Sequence, residues 1–306
     1  MFAMTQDQLG GPDVLHGAEV PRPVPSVGEV LVQVRAAGVN PADHMYRQTG
    51  AFGAQPPFTL GWDVSGVVSA VGPGVTILAP GDEVFGLLPF PKGAGAYAEY
   101  VVAPTRALVP KPASLTHEEA GALPLAGLTA WQSLVETANV GSGTRVLVTG
   151  ATGGVGHLAI QIAAARGAEV VALASTKNVE AARGYGASEV IDYRTTDVAT
   201  VLSDLDVVID VLGGDFTATA VRMVRRGGSV VTMIPQIPPA TYALAEERGV
   251  RLSGLLVEAD RLGLGALVRL VEAGRLRPTV AATYPLSDAA AAHANGGGYG
   301  KTVLLP

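Results

Sequence analysis

The chain of 306 residues contains no cysteine. That excludes a disulfide framework, a thiol nucleophile, an iron–sulfur cluster and any zinc site built on thiolates. Aromatic residues make up 5% and charged residues 16%, too little charge for a disordered tail or a coiled coil. Basic residues are outnumbered, 21 against 27 acidic ones, for a net charge of −6. This balance gives no bulk attraction for nucleic acid or an anionic membrane, and neither is expected as a partner. Apolar runs of transmembrane length (about 18 residues) are also missing, because Gly, Pro and charges interrupt every candidate. Met1 to Gly10 has no cationic start followed by an apolar stretch, so no signal peptide is expected and a cytoplasmic location is.

What is present is a chain 48% hydrophobic with 39 Gly and 21 Pro, long enough for one large domain or two ordinary ones. Residues 20 to 110 read as short strands between Gly and Pro turns. Glu29 to Arg35 alternates, with Val30, Val32 and Val34 on one face, and Val64–Val71, Glu83–Leu88 and Tyr97–Val102 follow. The spacing predicts a partly closed β-barrel or sandwich. Thr116-His117-Glu118-Glu119 has the form of a capping box and opens alanine-rich helical sequence to about Ala138. From Arg145 the texture changes. Strands at 145–149, 169–174, 189–191, 206–211, 229–234 and 251–257 alternate with helices at 154–166, 178–184, 215–225, 240–248 and 260–273. Continuous apolar strands such as Val170–Ala174 predict a doubly wound α/β fold with a parallel sheet. Pro278 to Pro306 returns to strand-like sequence.

The sharpest local feature is Gly150-Ala151-Thr152-Gly153-Gly154-Val155-Gly156, which follows a predicted strand and opens a helix. Glycines there let backbone approach a pyrophosphate, and the helix N-terminus offers free N–H groups, so the loop predicts a dinucleotide site. The bland alternative is a tight strand–helix turn with no ligand. An NAD site places Asp or Glu at the end of the next strand to bind the ribose 2′-hydroxyl. Here that position holds Ser175, Thr176 and Lys177, with no carboxylate before Glu180. Two hydroxyls and an ammonium suit a 2′-phosphate, with Tyr193 and Arg194 nearby, so NADP(H) is the expected cofactor. Val211, Leu212 and Gly213-Gly214 after the fourth strand, and Thr232 to Pro235 with Met233 after the fifth, sit at carboxyl ends of strands, where open α/β sheets bind ligands.

Taken together the motifs resemble a known family. Ala37-Gly38-Val39-Asn40-Pro41-Ala42-Asp43 with Arg47 and Gly50, Gly61-Trp62-Asp63-Val64-Ser65-Gly66, Gly81-Asp82-Glu83-Val84, Leu123-Pro124, Gly127-Leu128-Thr129-Ala130, the glycine loop and Gly300-Lys301-Thr302-Val303-Leu304 are similar to those of the zinc-independent quinone oxidoreductases, the zeta-crystallin group of the medium-chain dehydrogenase/reductase superfamily. The resemblance spans essentially the whole chain. It implies a GroES-like β-barrel catalytic domain (1–118 and 275–306), a Rossmann NADP(H)-binding domain (119–274) and an active site in the cleft between them. It also implies a homodimer. Asn40 stands where zinc-dependent relatives have a cysteine ligand, and Gly61-Trp62-Asp63 replaces their GHE motif, so no metal is expected.

The resemblance further implies that Asn40 lies near the nicotinamide, that Thr129 sits near the cofactor phosphates and ribose, and that Lys301 lies close to the cofactor. Each has a plainer reading: a buried turn cap, a helix-interior residue and a solvated strand-end lysine. Tyr46 is a candidate proton donor to an acceptor carbonyl, although the family fixes no tyrosine there and pocket wall is the plainer role. Phe52, Phe58 and Trp62 line an apolar pocket or fill the core. Asp43 and Asp63 read as structural, because both lie in tight-turn motifs. Without a metal to hold an alkoxide, hydride transfer suits a quinone or the β-carbon of an enone, where conjugation spreads the charge. The alternatives are an enoyl-thioester reductase and a cofactor-binding, redox-sensing protein with little turnover.

Overall fold

The computed structural model describes residues 1–234, 236–295 and 298–306. They divide into two compact units, one of residues 1–128, 258–272 and 277–306, the other of 129–257 and 273–276.

The first unit is rich in antiparallel strands: β1 (Phe2–Gln6), β2 (His16–Glu19), β3 (Glu29–Gly38), β4 (Phe58–Thr59), β5 (Asp63–Val71), β6 (Glu83–Leu87), β7 (Tyr100–Pro104) and β8 (Leu108–Pro110). Between β3 and β4 lies helix α1 (Pro41–Thr49). The long strand β3 is the hub, pairing with β5 and with β7, and its bulges against β5 bend the sheet. Strands β1, β2 and β4 form a separate three-stranded sheet. The alanine-rich stretch expected as one helix is broken. Helix α2 (His117–Gly121), with its capping box intact, stops before α3 (Pro124–Trp131), since a proline cannot donate to a preceding turn; a π-helical segment runs from Gln132 to Thr137.

The second unit is the doubly wound α/β fold. Strands β9 (Arg145–Val148), β10 (Glu169–Ala174), β11 (Glu189–Asp192), β12 (Leu205–Asp210), β13 (Val224–Thr232) and β14 (Arg251–Gly254) form one sheet in the order β11-β10-β9-β12-β13-β14, every pairing parallel. Helices α4 (Gly156–Ala165), α5 (Val179–Gly184), α6 (Val198–Val201), α7 (Asp215–Met223) and α8 (Pro239–Arg248) connect them. Chain order reverses between β9 and β12, so the carboxyl ends of these two strands flank the switch point where such sheets bind ligands. Strand β13 starts five residues earlier than the sequence suggests, because Val224 is buried and pairs with Leu205.

The chain then rejoins the first unit through α9 (Arg261–Glu272), whose Arg261 Nε donates to the Leu108 carbonyl at 3.2 Å. Strand β15 (Val280–Pro285) pairs with β16 (Lys301–Leu305), and β16 pairs with β3. The segment between them, expected to be strand-like, instead contains helix α10 (Ala289–Asn295), since four consecutive alanines have the best helix propensity available.

Candidate active site

The expected site residues fall into two sets, one in each unit. In the β-rich unit, Asn40 is the N-cap of α1, where Pro41 at the first helical position fixes the entry. Its backbone N–H donates to Asp43 Oδ2 at 2.8 Å, so Asp43 caps the helix it belongs to. The Asn40 side chain faces a buried charge pair instead. Its Nδ2 donates to Asp63 Oδ2 at 2.9 Å, and its Oδ1 accepts from Lys301 Nζ. The Lys301 ammonium, 4% exposed, also donates to the Val39 carbonyl at 2.8 Å and lies 3.4 Å from Asp63 Oδ2. Three acceptors thus meet the three protons of the ammonium. Asp63 Oδ1 accepts from the Leu125 N–H at 2.6 Å. Gly38 makes this packing possible: a Cβ there would lie 2.5 Å from both Asp63 Oδ2 and the Gly121 carbonyl.

A second buried chain runs beside it. Arg47 on α1 donates to His293 Nδ1 at 2.6 Å. Because a guanidinium cannot accept, Nδ1 is unprotonated and Nε2 carries the hydrogen. That N–H points to the Tyr97 hydroxyl at 3.0 Å, and burial, with the nearby Asp43 and Asp63 charges adding to it, pushes the Tyr97 phenol well above its usual range. Burial, then His44 stacked 4.4 Å away, then Arg47, hold the His293 pKa down to about 3. Burial, with Asp63 adding to it, pushes Asp43 up to about 7 against the lowering effect of its amide donors and Lys301. Gly61, at φ +95°, donates to Asp43 Oδ1 at 3.0 Å, and a side chain there would collide with the Tyr97 ring.

Tyr46, half-buried on α1, stands edge-on to Phe58 and Trp62, with ring centroids 4.9 and 5.0 Å away, and burial raises its pKa. The phenol is therefore a hydrogen-bond donor at neutral pH. Trp62 is fully buried and packs edge-on against Phe90, while Phe52 is 43% exposed. Trp62 Nε1 has no partner among the described residues, an orphan donor in an aromatic wall.

In the parallel-sheet unit the glycine loop joins β9 to α4 as expected. Gly150 has φ +58°, and a Cβ there would lie 2.5 Å from Val211 Cγ2; one at Gly156 would strike the Gly150 carbonyl. Among the described residues, the amides of Gly154, Val155 and Gly156 have no main-chain acceptor, whereas Gly153 N donates back to Gly150. Those N–H groups at the start of α4 are what a pyrophosphate requires. Thr152, nearly buried, accepts from Asn178 Nδ2 at 2.9 Å, which ties the loop to the turn after β10. In that turn Ser175 is buried and Thr176 and Lys177 are exposed; Tyr193 after β11 is also exposed. The exposed Lys177 ammonium is the group in this turn that can attract a 2′-phosphate.

Val211 and Leu212 follow β12, and Met233 follows β13; Pro235 lies outside the described residues. Sequence reasoning passed over the group that shapes this edge. Asp210, fully buried at the end of β12, accepts from the Leu212 and Gly213 amides at 2.9 and 3.0 Å and from Thr217 Oγ1 at 2.7 Å. Thr149 Oγ1 in turn accepts from Val211 N at 2.9 Å. Thr129 is buried in α3, where its carbonyl accepts from Ser133 Oγ at 2.5 Å.

Two family profiles match the chain: "Alcohol dehydrogenase GroES-like domain" over residues 26–113 and "Zinc-binding dehydrogenase" over 185–304. The quinone oxidoreductase of Mus musculus is 32% identical over 100% of this chain and 98% of its own. The structure of the quinone oxidoreductase from Coxiella burnetii superposes with a TM-score of 0.93 at 33% identity, covering 100% of this chain and 99% of that one. The Escherichia coli quinone oxidoreductase complexed with NADPH gives 0.90 at 26% identity over the whole of both chains. The second profile's description implies zinc, and the residues present do not fit it. The chain has no cysteine, no group of three or more His, Asp and Glu converges among the described residues, and the Lys301 ammonium already takes Asn40 and Asp63. The expected fold of a GroES-like domain with a parallel-sheet Rossmann domain holds. The chain belongs to the quinone oxidoreductase-like family of the medium-chain dehydrogenase/reductase superfamily and is an NAD(P)H-dependent oxidoreductase.

Proposed function

We propose that the protein is an NADPH-dependent reductase that delivers hydride, without a metal, to a quinone or an α,β-unsaturated carbonyl. The observation that carries this reading is the buried Asn40–Asp63–Lys301 cluster, in which an ammonium and an amide take the carboxylate that a catalytic cation would need. A carbonyl that develops a localised alkoxide gains most from such a cation; a conjugated acceptor, which spreads the charge, depends on it less. NADP(H) binding is supported by the Gly150–Gly156 loop, by Ser175, Thr176 and Lys177, and by the NADPH complex of the similar Escherichia coli enzyme.

NADPH, when bound, supplies the hydride from C4 of its nicotinamide. The amides of Gly154 to Gly156 would hold its pyrophosphate, with Thr152 and Thr129 as further polar groups for the phosphates and ribose. Val211, Leu212 and Met233, at the ends of β12 and β13, would line the dinucleotide, and Tyr193 would border the 2′-phosphate. Asn40 uses the N–H that Asp63 leaves over to orient the ring or the acceptor. Lys301 acts as a positioning residue, because its protons are already given to Val39, Asn40 and Asp63. The Tyr46 phenol donates a hydrogen bond to the acceptor oxygen, while Phe52, Phe58 and Phe90 give flat apolar faces that suit a planar molecule and keep water out. The protein works as a homodimer; the free edge of β14 in the six-stranded sheet supports this, and light scattering tests it.

An acceptor panel tests the whole reading. NADPH oxidation is expected with quinones and enones, more slowly with enoyl thioesters, and not with simple ketones. Binding of NADPH with no turnover on any acceptor would replace the enzyme by a cofactor-binding protein.

A further inference from the structure

The turn after β10 has a neighbour that its own sequence does not reveal. Strands β10 and β11 pair in parallel with Ala174 opposite Asp192, which carries the Asp192 carboxylate to the mouth of Ser175-Thr176-Lys177. Thr176 Oγ1 donates to Asp192 Oδ2 at 2.5 Å, and the Arg194 N–H donates to Oδ1 at 2.9 Å. The adenosine ribose of a dinucleotide is read at this end of the second strand. One of the two hydroxyls suited to a 2′-phosphate is therefore committed elsewhere, and a negative charge stands beside the phosphate's place.

We propose that Asp192 is a specificity-determining residue that weakens discrimination between NADPH and NADH. The inference rests on the assignment of this unit as the NADP(H)-binding one. Lys177 attracts the 2′-phosphate; Asp192 repels it and withholds the Thr176 hydroxyl. With NADH the same carboxylate, reaching in from the neighbouring β11, accepts a hydrogen bond from the ribose 2′-hydroxyl, the role that an acid ending the second strand has in NAD sites. The Thr176 and Arg194 donors, in that order, hold the Asp192 pKa below the usual carboxylate range, so the charge is present throughout the neutral range. The protein thus uses both nucleotides, with only a modest preference for NADPH.

Calorimetric titration of the full chain with NADPH and with NADH tests this, using wild type, Asp192→Asn, Thr176→Val and the double variant. D192N is expected to tighten NADPH and raise its preference over NADH on the order of fivefold, an effect that shrinks with added salt because the charges are exposed. T176V is expected to change NADPH affinity less than about twofold in the wild type but several-fold in the D192N background, where only a neutral amide oxygen competes with the phosphate for the hydroxyl. An unchanged preference in D192N, or weaker NADPH binding, overturns the inference and leaves the cofactor assignment standing. Binding of neither nucleotide to the wild type overturns both.

Discussion

Lys301 in the β-rich unit and Asp192 in the parallel-sheet unit each hold a charge beside a polar side chain that family resemblance or spacing would assign to a ligand. Lys301 is 4% exposed and gives its protons to Val39, Asn40 and Asp63. Asp192 lies in the open mouth of a turn, held by Thr176 and a backbone amide. In the first case burial makes each partner indispensable, because an unpaired buried charge has no water to replace what it lost. In the second, water is available and the charge tunes affinity rather than architecture. One polar contact between side chains thus specifies structure in one unit and selectivity in the other.

Substitutions sharpen that contrast. Lys301→Met should have the largest effect, since it strands Asp63 and one end of Asn40. A loss of about 3 kcal/mol in urea unfolding is expected; a midpoint like that of the wild type would mean the cluster is wetter than its geometry indicates. Gly156→Val puts a side chain against the Gly150 carbonyl and should weaken NADPH more than about tenfold, read by fluorescence titration, while the β-rich unit keeps its unfolding transition. Tyr46→Phe should lower kcat about tenfold at unchanged KM for NADPH, the cost of one hydrogen bond to the acceptor; equal kcat would reduce Tyr46 to pocket wall.

The buried relay gives a pH test of opposite signs. Native His293, held at about 3, binds fewer protons than an unfolded histidine near 6.5, so its contribution to stability rises as pH rises from 3 to 6.5. Native Asp43, raised from 3.8 to about 7, binds more protons than its unfolded form, so its contribution falls as pH rises through that interval. His293→Gln removes the first and keeps the second. It should therefore destabilise the protein more at pH 7 than at pH 4.5, by about 1 kcal/mol or more. Equal losses at the two pH values would mean that folding does not lower the His293 pKa.

How much of this was legible in the sequence follows from the range of each interaction. The parallel sheet was readable because strands buried on both faces are continuous apolar runs, as in Val170–Ala174, and the glycine loop was readable because its parts are adjacent in the chain. Helix α1 was not. Its buried residues are Asp43 and Arg47, so hydrophobic periodicity gives no signal, and only Asn40-Pro41 marks its start. His293 was missed for a related reason: it lies in an alanine run, and its partners Arg47 and Tyr97 are 246 and 196 residues away. Asp192 is only 16 residues from Thr176, yet the parallel register that joins them is a property of the sheet. The absence of a nearby acid after β10 was true of the chain and untrue of the fold. Asp210 could have been found: an acid ending an apolar strand just before Gly213-Gly214 is a turn-organising signal.

Hydride transfer without a metal is what sets the proposed chemistry apart. The most direct measurement is the rate of NADPH oxidation by a benzoquinone before and after exhaustive dialysis against a chelator. The same rate is expected in both samples, with no gain on adding Zn²⁺. A rate lost on chelation and restored by Zn²⁺ would contradict it.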